Sequence, residues 1–314
     1  MARVIVYTEF GSPDVLHLID IPDPIPSRDE VVVRIEAAGV NPIDAKLRSR
    51  TRPSPPIDEP RRVGFDGAGV IEQIGAGVEG FAVGDRVAIR DTLGTYASVI
   101  AASAEAIAPL PDGVTAAEGA AIGIPAGTAY QALKSLGVTK GDVLLVHAGS
   151  GSVGQAAVQF AVSWGATVIA TASPDRHEQL RSLGAIPVAY GDGLLDRVRD
   201  AAPDGVTVAL DGAGTDEAIE VSLALVADRD RIATLVRGAD AASFGIRAFA
   251  GGAPDPLTAQ ELAWRAEALP ATIALIESGD FVIELGPALP LAEAARAHEL
   301  VEAHAADGKI VLVP

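Results

Sequence analysis

A chain of 314 residues has room for two domains with sizeable cores, and 49% hydrophobic against 21% charged residues describes a globular protein, not a disordered one. A formal charge of -18, with four lysines in the whole chain, excludes a nucleic-acid or anionic-membrane surface, because both need clustered Lys and Arg. The complete lack of cysteine excludes a disulfide framework, a reactive thiol and any thiolate metal site, and it fits a cytoplasmic protein.

The chain reads directly into a strand at residues 3–8, with no charged leader and apolar segment before it, and no 18 apolar residues run together. Neither a signal peptide nor a membrane span is therefore expected. Up to about residue 125 the pattern is of short β-type runs, at 3–8, 15–19, 30–37, 67–74, 86–90 and 96–101, separated by Gly, Pro and Asp. This region reads as all-β. Pro22, Pro24 and Pro26 break one connection, and Pro53, Pro55 and Pro56 lie in a long loop over residues 49–62. Alanine-rich helical runs follow at 116–121 and 127–136.

Next comes an apolar run of strand length, 143–148, then Gly149-Ser150-Gly151-Ser152-Val153-Gly154, then an apolar helical stretch at 155–164. Strand, glycine turn and helix together form the context that G-x-G-x-x-G requires. The first glycine permits the tight turn, the second leaves no side chain between backbone and a pyrophosphate, and the third lets the helix pack closely. A P-loop is excluded because Gln155 and Ala156 stand where Lys and Ser/Thr are needed. A nucleophile elbow is absent too, since neither Ser150 nor Ser152 is flanked by glycines two residues away on both sides.

Beyond the turn, strands at 167–171, 187–190, 206–210, 231–236 and 245–250 alternate with helices at 175–183, 194–201 and 216–226. Alternating units of this size imply a doubly wound parallel sheet with its ligand at the carboxyl edge. After Pro254 and Pro256 a helix is expected at 258–278, a strand near 281–283, a helix at 291–305 and a last strand at 309–313.

The end of the second strand selects the cofactor. An acidic residue there would accept from the ribose of NAD, whereas Ser173, with Arg176 close behind, suits the 2'-phosphate of NADP. Asp175 keeps NAD open, or caps the following turn together with Ser173. Tyr190, at the end of the third strand, either closes over the adenine or is a half-buried strand aromatic. A methyltransferase would want an acid where Ser173 stands. The five histidines do not cluster: His298 and His304 point to different faces of one helix, His147 reads as a packing residue, and His17 and His177 stand alone, so no catalytic zinc is expected.

Several motifs together resemble the zinc-independent quinone oxidoreductases, of the zeta-crystallin type, in the medium-chain dehydrogenase/reductase superfamily. They are Gly39-Val40-Asn41-Pro42-Ile43-Asp44, Gly64-Phe65-Asp66-Gly67-Ala68-Gly69-Val70, Gly84-Asp85-Arg86-Val87, Pro125-Ala126-Gly127-Thr128-Ala129-Tyr130, the glycine turn, Thr171-Ala172-Ser173 and Gly308-Lys309. The resemblance implies an α/β fold, with a GroES-like β-rich catalytic domain at 1–122 completed by 262–314, a Rossmann domain at 123–261, and a cleft between. It implies NADPH as hydride donor, no zinc, a quinone or enone as acceptor and a homodimer joined through edge strands. By position it implies Asn41 and Thr128 at the nicotinamide end. Gly149, Ser150, Gly151, Ser152, Val153 and Gly154 fall at the pyrophosphate, and Ser173, Arg176 and Tyr190 at the adenosine phosphate. Lys46 stands where many relatives carry Tyr. Either it or Asn41 is a candidate donor to a developing enolate oxygen, although Lys46 also reads as a solvated cation. Asp44, Asp66 and Asp85 read as scaffold. Two alternatives remain open: an enoyl-thioester reductase using Arg48, Arg50, Arg52, Arg61 and Arg62 at the proline loop, and an NADPH-binding protein without turnover.

Overall fold

The computed structural model describes residues 1–249 and 255–314, which form two compact units, Met1–Ile124 with Leu269–Pro314 and Pro125–Ala268.

In the first unit, β1 (Ala2–Tyr7), β2 (His17–Ile21), β3 (Glu30–Gly39), α1 (Pro42–Arg48), β4 (Arg61–Arg62), β5 (Asp66–Ile74), β6 (Arg86–Ile89), β7 (Val99–Ser103) and β8 (Ile107–Pro109) follow in order. The region is not all-β, since α1 interrupts it. The signal for α1 is nonetheless in the sequence: Asn41 precedes Pro42, whose fixed φ suits a first helical position, and the Asp44 carboxylate accepts the Asn41 backbone N–H at 2.8 Å. The helix is short, so periodicity could not show it.

The two alanine-rich runs are one helix, α2 (Ala116–Ser135), which continues through Pro125. Ile124, just before the proline, turns its backbone N–H to the Asp66 carboxylate at 2.9 Å, so a side chain serves the helix where Pro125 disturbs the ladder.

The second unit contains β9 (Val143–His147), α3 (Ser152–Ser163), β10 (Thr167–Ala172), α4 (His177–Ser182), β11 (Ile186–Ala189), α5 (Leu194–Ala201), β12 (Val208–Asp211), α6 (Asp216–Leu225), β13 (Ile232–Thr234), α7 (Ala241–Phe244) and β14 (Arg247–Ala248). The strands form one parallel sheet in the order β11-β10-β9-β12-β13-β14, the doubly wound arrangement. Leu145, Ile169, Ala209 and Ile232 sit in register across its centre and are fully buried. The strand expected at 245–250 is only two residues long, because residues 241–244 form a helical turn. Ala250 and Pro254 lie outside the described residues.

The chain re-enters the first unit within α8 (Ala259–Ser278), at Leu269, and continues with β15 (Leu285–Pro290), α9 (Ala294–Glu302) and β16 (Lys309–Val313). The strand expected near 281–283 is not one, since β15 begins at Leu285. Strand β16 pairs antiparallel with β3 and parallel with β15, so the C-terminus is part of the sheet β15-β16-β3-β5-β6-β8, with β7 also on β3. β1 forms a second sheet with β2 and β4, and the unit's core runs through Val4, Ile5, Val31, Val33, Ile71, Ile89 and Leu312.

A buried cation fastens the C-terminal segment to the N-terminal one. Arg48, at the end of α1, is 0% exposed; it donates to His298 Nδ1 at 3.3 Å, to the Gly11 carbonyl and to the Glu302 carboxylate. Burial, and then the neighbouring guanidinium, pushes His298 down to about 3. Its folded value lies below the unfolded one, so the stability it confers is present above about pH 6.5 and is lost as the pH falls toward 3. We expect wild type to lose stability in urea by roughly 1.4 kcal/mol per pH unit below about 6.5 relative to His298→Gln, which keeps an acceptor but does not titrate. Equal pH slopes in the two proteins would contradict this.

Candidate functional site

In the second unit the site begins with the turn between β9 and α3. Ala148 takes φ 60, the left-handed region, and its N–H donates to Thr171 Oγ1 at 3.2 Å; the Gly149 N–H donates to the Thr171 carbonyl at 2.9 Å. These bonds lash the turn to β10. The three glycines do different work. A Cβ on Gly149 would meet Ala170 Cβ at 2.7 Å, and one on Gly154 would meet the Ala148 carbonyl oxygen at 2.2 Å, so both are close-approach positions. A Cβ on Gly151 would meet nothing nearer than 3.6 Å. That position is open for something other than protein. Gly151 also starts α3 without a side-chain cap, and no acidic residue stands in the first turn, leaving amides and helix dipole turned to an anion. An uncapped helix start beside an open glycine fits a pyrophosphate. Ser150 is held by its carbonyl, which accepts from Gln155 Nε2 at 2.7 Å.

Because the sheet is parallel, the ends of its other strands lie on the same edge. Ala172 pairs with Ala189, so Ser173 and Tyr190 are the next residues on neighbouring strands. The neighbouring Ser173 hydroxyl holds the Asp175 carboxylate below its ordinary value. Arg176 ends that turn. Tyr190 lies beyond the strand and is 61% exposed, so it is not a half-buried strand residue. Thr128, on α2, is buried, and its hydroxyl accepts from Arg265 at 3.0 Å.

His147 ends β9 and is 1% exposed, with burial lowering it to about 4. Ser222 Oγ donates to the Ala218 carbonyl at 2.8 Å, so at 3.1 Å the His147 Nε2 must be the donor to that hydroxyl. The serine proton points away from the imidazole, which excludes a nucleophilic pair. Asp211, beside His147 on β12, accepts from the amides of Ala213 and Gly214, both at 2.9 Å, and from Thr234 at 2.7 Å. These bonds shape the carboxyl ends of β12 and β13.

The first unit holds a buried polar cluster around Asn41, the nicotinamide-end candidate, whose carboxylates Asp44 and Asp66 the sequence reading took as scaffold. Asn41 is 1% exposed. Its Nδ2 donates to Asp66 at 2.9 Å and to the Gly39 carbonyl at 3.4 Å, while its Oδ1 accepts from Lys309, a lysine only 4% exposed. Tyr96 donates to Asp44 at 3.0 Å. Burial pushes Asp44 up to about 7 and Asp66 up to about 6, against the pull of Lys309 on both, and it lowers Lys309. One oxygen of each carboxylate is buried without a hydrogen-bond partner. The signal that could have found Lys309 is a lysine opening the otherwise apolar run 310–313. Asp85 is a turn residue, accepting from the Ala82 amide at 2.7 Å. Lys46 is exposed on α1, and its ammonium has no hydrogen-bond or ion-pair partner among the described residues.

Among the described residues no three metal-ligating His, Cys, Asp or Glu side chains converge. Of the five arginines near the proline loop, Arg48 is buried in its staple and Arg62 donates to the Gly94 carbonyl. Arg61 donates to Pro55 and Pro56 and lies over Tyr7 and Phe10, and Arg50 also stacks on Phe10.

Residues 27–112 match the alcohol dehydrogenase GroES-like domain, and residues 183–312 the domain described as zinc-binding dehydrogenase. The quinone oxidoreductase of Sus scrofa is 32% identical over 97% of this chain and 95% of its own length. That of Pseudomonas aeruginosa is 33% identical over the whole of both chains. The crystal structure of Escherichia coli quinone oxidoreductase complexed with NADPH is similar throughout both chains, at 27% identity and a TM-score of 0.84.

Removing Lys309 would leave Asp44 and Asp66 without their counter-charge. We expect Lys309→Met to cost about 3 kcal/mol in urea unfolding. The variant should also lose stability more steeply than wild type between about pH 6 and pH 8, because carboxyls raised in the folded state weaken it as they ionise. Adding Asp66→Asn should restore part of the loss; a double variant no better than the single would contradict the pairing.

Proposed function

Because the chain belongs to the quinone oxidoreductase family of the medium-chain dehydrogenase/reductase superfamily, we propose that it is an NADPH-dependent, zinc-independent reductase of quinones or enones. The observation that carries the cofactor part is the open face at Gly151 on an uncapped helix, one strand from a neutral Ser173 followed by Arg176. NADPH, when bound, supplies the hydride. The amides of Gly151, Ser152, Val153 and Gly154, with Ser150, would hold its pyrophosphate, and Ser173, Arg176 and Tyr190 its 2'-phosphorylated adenosine. Thr128 and Asn41 are assigned to the nicotinamide end.

Orientation supplies most of the acceleration in such a transfer, since fixing donor and acceptor makes the step effectively unimolecular. The remaining demand is a donor for negative charge developing on the acceptor's oxygen. Asn41 Nδ2 is committed to Asp66 and Gly39, so Asn41 positions, and the free ammonium of Lys46 is the donor in this reading. An enoyl-thioester carrier finds less support, because three of the five arginines offered for it, Arg48, Arg61 and Arg62, already hold backbone or side-chain partners. The homodimer belongs to the same proposal, with the end strands β11 and β14 each having one side without a strand partner among the described residues.

Two experiments test this. Gly151→Ala should fold with an unchanged melting temperature, yet bind NADPH at least about tenfold more weakly, because its methyl occupies phosphate space and not protein space. Unaltered affinity would overturn the assignment of the turn. NADPH oxidation should be measured with a panel of quinones and enones, where Lys46→Ala should lower kcat by about tenfold or more. Equal turnover by the variant across the panel would remove Lys46 from the mechanism, and no oxidation by wild type with any acceptor would favour a binding protein without turnover.

A further inference from the structure

Tyr190 is a large aromatic with most of its surface in solvent and no hydrogen bond from its hydroxyl among the described residues, yet the backbone that carries it is held from two sides. From α5, Arg197 spends its guanidinium on three carbonyls of that backbone: Nε donates to that of Ala189 at 2.9 Å, Nη2 to that of Gly191 at 2.7 Å and Nη1 to that of Asp192 at 2.7 Å. From α6, Glu217 accepts the Gly191 N–H at 2.9 Å. Gly191 and Gly193, at φ 91 and 82, let the chain curl around the guanidinium in this way.

A ring carried on braced backbone at the sheet edge, next to Ser173, is a stacking face whose backbone ordering cost is met by the fold and not by the ligand. We propose that Arg197 is a positioning residue for cofactor affinity: by bracing residues 189–192 it holds the Tyr190 ring as a platform for the adenine of a 2'-phosphorylated dinucleotide. This rests on the cofactor reading above and adds a residue to it that neither touches the ligand nor belongs to the glycine turn. The fork is what matters. A lysine keeps the charge but can aim at only one carbonyl at a time.

The test measures, by calorimetry, the affinity of the whole chain for NADPH and for adenosine 2',5'-bisphosphate, which carries only the adenosine end. Arg197→Lys and Tyr190→Ala should each weaken both ligands by the same factor, about fivefold to tenfold, and the double variant should be no weaker than either single one. For Arg197→Lys the KM for NADPH should rise while kcat at saturating NADPH is unchanged. If Arg197→Lys binds as wild type does, or if the two effects multiply, Arg197 does not act through Tyr190 and the inference fails while the cofactor reading stands. If wild type binds neither ligand, the cofactor reading itself fails and takes the inference with it.

Discussion

The second unit depends on one close approach of backbone to backbone. Helix α3 starts so near the strand before it that Gly154 has the Ala148 carbonyl where a side chain would be, and Gly149 lies as tightly against Ala170 on β10. This contact sets the direction of α3, and the direction aims its first amides past the sheet edge. With the strands parallel, Ser173, Tyr190 and the Asp211 loop are all delivered to that same edge. The proposed phosphate site therefore follows from packing, and of the three glycines only Gly151 is spared a packing role.

The first unit uses charge where the second uses proximity. Asn41 sits among Asp44, Asp66, Tyr96 and Lys309, nearly all of them out of water, and each ionised group is tolerable only because another faces it. The cluster draws on β3, α1, β5 and the last strand of the chain, so it can form only when the C-terminal segment has returned. Arg48 repeats the device with His298 and Glu302 on α9. Both networks tie the earliest part of the unit to the latest.

Legibility in the sequence followed the range of the interaction. The glycine turn, the alternation after it and the strand at 309–313 were readable because each is a local pattern with a local cause. Helix α1 was missed despite its Asn-Pro-x-Asp start, since seven residues offer too little periodicity to set against the β-type runs around it. The split at Pro125 was misread for the opposite reason. A proline normally marks a boundary, and only the arrival of Asp66, 58 positions earlier, lets α2 continue. Nothing local could show that Lys309 meets Asn41, 268 positions away, or that Arg197 is wrapped by the loop before its own helix.

The uncapped start of α3 has a consequence for the lifetime of the protein. A conventional cap would satisfy those amides permanently and make the folded form equally durable with or without company. A phosphate of the proposed cofactor seated there would favour the folded chain by mass action and contribute nothing to the unfolded one, so the protein would outlast its unbound form wherever that cofactor is plentiful.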